Sequence, residues 1–323
     1  MMKKYTLSNP TNTLEVSQIT LGHLFMNLPQ RTESSYAYME EFLEFGGTTF
    51  DNARVYGDWQ SERFLGEFFK KTGKRHDMVI TTKCGHHNKK TWEPRLDPYN
   101  LNADVDTSLT MLGTDYIDIL YLHRDDIFKP VEEIMVALDK IVKSGKARVL
   151  GASNWTAPRI QKANDFANKF GLTPFSVSQI NYSAAITTPA ATDDTTQVVM
   201  DLAEKAWYAD TKMLIMPWAP NARGFFSQVI NNGEPNARTK AWYGWCSENY
   251  RRADRFKYLS EKKGYPVGSV VLAYLLCQPD VDVTPIIAFT KREQFDEAKL
   301  ALDVKLTKQD IAYIDGKYAD FSR

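Results

Sequence analysis

Four side chains in this sequence combine into a recognisable piece of chemistry: Asp51, Tyr56, Lys83 and His123. Asp51 and Tyr56 lie in "TTFDNARVYG", Lys83 falls in "VITTKC", and His123 ends "YIDILYLH", so each sits at or just beyond the end of a short apolar run. A tyrosine hydroxyl titrates at about 10 and is a poor acid at neutral pH. A neighbouring ammonium stabilises the phenolate and lowers that pKa, while a carboxylate paired with the lysine holds it in place. An imidazole beside the phenol can hydrogen-bond a substrate oxygen. Together the four would give a proton to a carbonyl oxygen while another agent delivers hydride. Singly, each has a structural explanation: Asp51 as a helix cap, Tyr56 as a core edge, Lys83 as a solvated strand end, His123 as a satisfied core histidine. Four such residues on three consecutive strand ends argue for the chemistry instead.

The elements that would position them read as follows. A hairpin pairs 5–7 with 14–16, and strand-like runs then recur at 18–22, 47–52, 78–84, 116–123, 147–153, 176–182, 212–218 and 283–288. Helical patterns lie between them, several closing on Gly after a basic last turn. Eight near-continuous apolar runs alternating with helices predict a parallel sheet buried on both faces, and eight is the count of a (β/α)8 TIM barrel. A doubly wound open sheet is the rival, but no GxGxxG follows the first strand and no GxxxxGK[ST] occurs. The barrel places catalytic residues at the C-terminal strand ends, which adds Ser153, Asn154 and Gln179 from strands five and six. The interval 219–260, between strands seven and eight, is expected to be a long loop over the site, and 1–323 a single domain.

Composition narrows the partners. The 323 residues carry 40 basic and 40 acidic side chains, so there is no electrostatic footprint for nucleic acid or an anionic membrane. A small-molecule partner is expected. Three widely separated cysteines without a CxxC pair fit a reduced, cytoplasmic setting. The N-terminus lacks the apolar core of a signal peptide, and the most apolar stretch, 267–277, is too short to span a bilayer.

In order along the chain, "GGTTFDNARVYGDWQSERFLG" (46–66), "ITTKCG" (80–85), "LGTDYIDILYLHR" (112–124), "GKARVLGASNW" (145–155), "SQINYS" (178–183), "MPWAPNARGFF" (216–226) and "PIIAFTKREQFDEA" (285–298) resemble the successive signatures of the aldo-keto reductases. The resemblance implies a (β/α)8 barrel that binds NADPH, less often NADH, without a Rossmann motif. It implies Tyr56 as proton donor, Lys83 and Asp51 as its tuning pair, and His123 as the group orienting substrate. Ser153, Asn154 and Gln179 would hold the nicotinamide carboxamide, and Trp218 would stack on the ring. Gln294 and Glu297 match positions at the adenine end. The sequence departs from the family at Asn52, often Thr, and at Ala219, which offers no hydroxyl to a pyrophosphate. Phe289 and Thr290 stand where a small and then a basic residue are usual, leaving Lys291 and Arg292 as the candidates to read a 2′-phosphate. NADPH is favoured on that ground, with NADH the alternative.

Arg54, His86, His87, Trp92 and Trp155, with Trp242 and Trp245 of the inserted segment, are candidate substrate walls. Mixed aromatic and polar walls suit a sugar or polyol and also an aryl aldehyde. No metal is expected, because adjacent loop histidines point apart and no carboxylate sits at ligand spacing. The expected function is reversible reduction of an aldehyde or ketone. The alternative is an NADPH-binding, redox-sensing regulatory subunit; four filled catalytic positions and no long segment ahead of the barrel favour the enzyme.

Overall fold

The computed structural model describes residues 2–22 and 32–317. It divides into two compact units, 1–179 and 180–323. The first opens with an antiparallel hairpin, β1 (Lys4–Ser8) and β2 (Thr13–Ser17). Tyr5 faces Val16 and Leu7 faces Leu14 across it, the pairing that the apolar alternation predicts. Its turn is fastened to the strands of this unit, Asn9 Nδ2 donating to the Arg148 carbonyl and Ser176 Oγ to that of Ser8.

The rest of this unit alternates: β3 (Thr20–Gly22), α1 (Thr32–Glu44), β4 (Thr49–Asp51), α2 (Ser61–Thr72), β5 (Val79–Cys84), α3 (Pro98–Leu112), β6 (Ile117–Leu122), α4 (Val131–Lys143), β7 (Ala147–Ser153), α5 (Ala157–Phe170) and β8 (Phe175–Gln179). The helix boundaries follow local chemistry. Asp97 caps α3, accepting from the Asn100 N–H, Pro98 fills its first position, and Gly113 closes it in the left-handed region. Every residue of β6 is buried, which is why "IDILYL" shows no polar alternation. Neighbouring strands from β3 to β8 pair in parallel, so their C-terminal ends share one side of the sheet.

The second unit holds α6 (Leu202–Thr211), β9 (Leu214–Ile215), α7 (Phe225–Asn232), α8 (Ala237–Tyr243), α9 (Ser247–Lys263), α10 (Val267–Leu276), β10 (Ile286–Ile287), α11 (Arg292–Leu300) and α12 (Lys308–Ile314). Its core gathers Phe225, Phe226, Trp242, Tyr243, Phe256 and Leu259 with the apolar helix α10. The segment 219–260 is thus not a long loop. It folds into α7, α8 and most of α9, whose Phe225, Phe226, Trp242, Tyr243 and Phe256 are buried. Strands β3 to β10, eight in all and alternating with helices along the chain, make the fold a (β/α)8 barrel with an N-terminal hairpin. Among the described residues no helix is long and apolar enough to cross a membrane.

Candidate active site

Parallel register assembles the four chemical groups within the first unit. Asp51 ends β4 opposite Thr81, Lys83 lies opposite Tyr121, and the His123 N–H donates to the Cys84 carbonyl at 2.8 Å. Gly151 beside Tyr121 is required: a Cβ there would meet the phenol ring at 2.3 Å. Tyr56 stands in the turn after β4, its N–H bound to the Ala53 carbonyl. Asn52 Oδ1 accepts from the Ala53 N–H (2.8 Å) and from Ser61 Oγ (2.5 Å), tying that turn to the start of α2. The departure at Asn52 therefore has a positioning role of its own.

Lys83 Nζ donates to both Asp51 oxygens (2.8 and 2.9 Å) and to the Asn52 carbonyl (2.7 Å). The ammonium also lies 4.8 Å from the centre of the Tyr56 ring and hydrogen-bonds its phenol. The Asp51 carboxylate accepts further bonds from Thr81 Oγ1 and Gln179 Nε2. Both members of the ion pair are buried, so their geometry is fixed by every surrounding contact rather than by the pair alone.

Electrostatics depart from expectation at the phenol. Burial pushes the Tyr56 pKa upward; Lys83 pulls it back by charge and by hydrogen bond, and Arg124 helps, but the net direction is up. The lysine acts in the expected sense and loses to desolvation. Tyr56 is accordingly fully protonated across neutral pH. Burial pulls the Lys83 ammonium down, yet Asp51 and Tyr56 more than offset it and raise its pKa overall, so it stays charged. His123 is driven well below the usual imidazole range, first by burial and then by Arg124 and Lys83. It is a neutral imidazole, 5.8 Å from the Tyr56 ring centre and edge-on to it, and its buried Nδ1 has no hydrogen-bond partner among the described residues.

Arg124 was not singled out from sequence. It is buried, donates from Nη1 to the His123 carbonyl at 2.8 Å, and its charge bears on both His123 and Tyr56. The only signal for it was its place directly after His123.

Ser153, Asn154 and Gln179 are brought together at the ends of β7 and β8, where Asn154 N–H donates to the Gln179 carbonyl. Asn154 Nδ2 donates to Ser153 Oγ at 3.1 Å, and Asn154 has φ +57°, a conformation that is tolerated where surrounding structure holds it. With Gln179 Nε2 held by Asp51, its Oε1 forms no bond to another described residue. A hydroxyl, an amide and that acceptor fit a primary carboxamide, which offers both N–H donors and a carbonyl.

The expected substrate residues separate into two groups. His86 is half-buried, 4.8 Å from the His123 ring centre and 6.1 Å from that of Trp92, which is itself half exposed. Gly85, at φ +69°, turns the chain toward them and donates its N–H to Asp104. Arg54 pairs with the same buried Asp104 and stacks over Trp59. Trp155 does not join them. Its ring is fully buried, its N–H donates to the Arg124 carbonyl, and Phe175 and Arg159 cover it, so it braces the loop after β6 and offers no wall.

In the second unit, Trp218 is half-buried and edge-on to Trp242, whose own N–H is held by Asp193. Phe289 is buried and packs on Phe295, so it belongs to the core and not to a binding surface. Gln294 Oε1 accepts the N–H groups of Thr290 and Lys291, and so caps α11. Glu297 packs against Gly268, and burial raises its pKa. Lys291 and Arg292 are exposed at the start of α11, with Arg292 bound to Asp296.

A barrel whose strand ends gather a lysine–carboxylate pair, a buried phenol and a neutral imidazole has the apparatus of carbonyl chemistry. Comparison with known proteins assigns the class: residues 18–319 match the aldo/keto reductase family model. The chain belongs to the aldo-keto reductases, NAD(P)-dependent oxidoreductases acting on carbonyl and CH–OH groups. It is 29% identical to the versiconal hemiacetal acetate reductase of Aspergillus parasiticus, over 94% of both chains. It is 31% identical to the norsolorinic acid reductase of Aspergillus flavus, over 87% of this chain and 71% of that one. It is also 29% identical to the aldo-keto reductase yakc [NADP(+)] of Schizosaccharomyces pombe, over 86% of this chain and 81% of that one.

Proposed function

We propose that this chain, acting as one catalytic domain, reduces an aldehyde or ketone to the alcohol reversibly, with Tyr56 donating the proton and NADPH preferred to NADH. The observation that carries the reading is the buried contact of Lys83 with Asp51 and with the Tyr56 phenol, beside a neutral His123. In this reading the bound nicotinamide supplies hydride. The His123 imidazole, neutral and short of a partner, donates its one N–H to the carbonyl oxygen and orients it. The Tyr56 hydroxyl transfers its proton to that oxygen as charge develops there. The Lys83 ammonium meets the phenolate that remains, and Asp51 holds the ammonium in position.

Ser153, Asn154 and Gln179 are assigned to the carboxamide and Trp218 to the ring face. Lys291 and Arg292 are assigned to the 2′-phosphate, with the α11 N-terminus adding backbone donors. Similarity to a protein named for NADP(+) supports the NADPH preference. The substrate side is assigned to His86, Trp92 and Arg54. A filled tetrad supports turnover over a purely sensing role.

The test is a panel of aldehydes, ketones and sugars with NADPH and with NADH, following nicotinamide absorbance. The reading expects reduction of at least one carbonyl class, faster with NADPH. Cofactor binding without turnover on any member would contradict it.

A further inference from the structure

The loop after β5 carries two histidines whose hydrogen bonds decide which ring nitrogens are bare. His86 Nδ1 lies 2.8 Å from the His87 carbonyl, and His87 Nε2 lies 3.3 Å from the Asp125 carbonyl. A carbonyl oxygen only accepts, so each of these nitrogens carries its ring's proton. In the neutral imidazole the other nitrogen is then a lone-pair acceptor: Nε2 of His86 and Nδ1 of His87. His86 is held neutral, its pKa lowered chiefly by burial. Its Nε2 binds no other described residue, and His87 Nδ1 is buried without a partner. Trp92 packs edge-on against both rings, at 6.1 and 5.4 Å.

The position of His86 gives that acceptor a use. Its ring centre is 4.8 Å from that of His123, which in turn is 5.8 Å from Tyr56. His86 is thus a direct neighbour of the imidazole to which the carbonyl oxygen is assigned. Hydrogen bonds of about 2.8 Å from each of two rings so placed reach oxygens on adjacent carbons. The two rings call for opposite partners: His123 donates to an oxygen, whereas His86 Nε2 needs a donor.

We propose that His86 Nε2 accepts a hydrogen bond from a substrate hydroxyl next to the carbonyl, so that the preferred substrates are α-hydroxy ketones or aldehydes. This rests on the carbonyl-reductase reading given above. A substrate lacking the hydroxyl leaves the acceptor desolvated and unpaired, and discrimination against it follows.

The test compares matched pairs that differ only in the donor: hydroxyacetone with methoxyacetone, and α-hydroxyacetophenone with α-methoxyacetophenone. The aliphatic and aryl arms separate a sugar-like from an aromatic source of the same group. In the wild-type protein kcat/KM favours the hydroxy member of at least one pair by about tenfold or more, the scale of one hydrogen bond. In His86→Phe that ratio falls to about one, and in His86→Gln, which keeps an acceptor oxygen, most of it survives. A ratio within one variant does not depend on how much of that variant is folded. Equal rates on hydroxy and methoxy members, or an unchanged ratio in His86→Phe, would overturn this inference alone. No reduction of any carbonyl would overturn it together with the reading beneath it.

Discussion

Two ion pairs in this molecule have nearly the same length and opposite circumstances. Lys83 and Asp51 meet at 2.8 Å with 0% and 5% of their side chains exposed, whereas Arg292 and Asp296 meet at 2.9 Å with 47% and 42% exposed. Distance alone would rank them together. Solvent separates them: an exposed pair is screened and contributes at most about 1 kcal/mol, while removing one partner of a buried pair strands the other charge at about 3–5 kcal/mol. The buried pair is a fixed part of the structure, with Thr81, Gln179 and the Asn52 carbonyl holding it. The exposed pair, by contrast, sits in water at the surface. The first pair is held by the fold around it, and the second is shared with solvent.

Breaking the buried pair gives the largest effect. Lys83→Met should lose about 3–5 kcal/mol of folding stability, measured by denaturant unfolding, because Asp51 is left without its cation. A loss below about 1 kcal/mol would put Lys83–Asp51 in the same class as the surface pair.

Breaking the exposed end should act on the ligand and not on the fold. Lys291→Ala with Arg292→Ala should weaken NADPH by about 1–3 kcal/mol, leave NADH nearly unchanged, and shift folding stability by less than about 1 kcal/mol. Titration calorimetry with both cofactors checks it; equal losses for the two would mean these side chains do not read the phosphate.

The smallest effect concerns His123, and it sharpens the contrast by pH. Its folded pKa lies below its unfolded value of about 6.5, so above that pH both states are neutral and the stability is fully present. As pH falls from about 6.5 toward the folded pKa, only the unfolded chain takes up the proton, and stability drops by up to about 1.4 kcal/mol per pH unit. His123→Gln should flatten that slope, read as unfolding midpoints from pH 7 to 5. An unaltered slope would mean His123 is not the buried neutral group.

Much of this was legible in the chain because parallel strands translate order into place. Asp51, Lys83, His123, Ser153 and Gln179 end consecutive apolar runs, so their convergence needs only the βα alternation. The hairpin was legible from its period-two pattern. The aromatic segment 219–260 was not, since its charged and aromatic residues hide the stripe of Ala253, Phe256 and Leu259 that α9 buries. Nor was the burial of Trp155, which Phe175, from the next strand, decides. The sign of the Tyr56 shift depends on how much water the fold removes from the phenol, and spacing carries no measure of that. That the Gln294 amide oxygen also caps α11 is a choice local geometry makes, and spacing does not display it.

The central claim, that the phenol in this buried network is the proton donor, is tested most directly by Tyr56→Phe. The substitution keeps the ring and removes the acid. NADPH binding, followed by quenching of tryptophan fluorescence, should be retained while carbonyl reduction falls by about a hundredfold or more. Near-normal turnover by that variant would show that the proton comes from elsewhere.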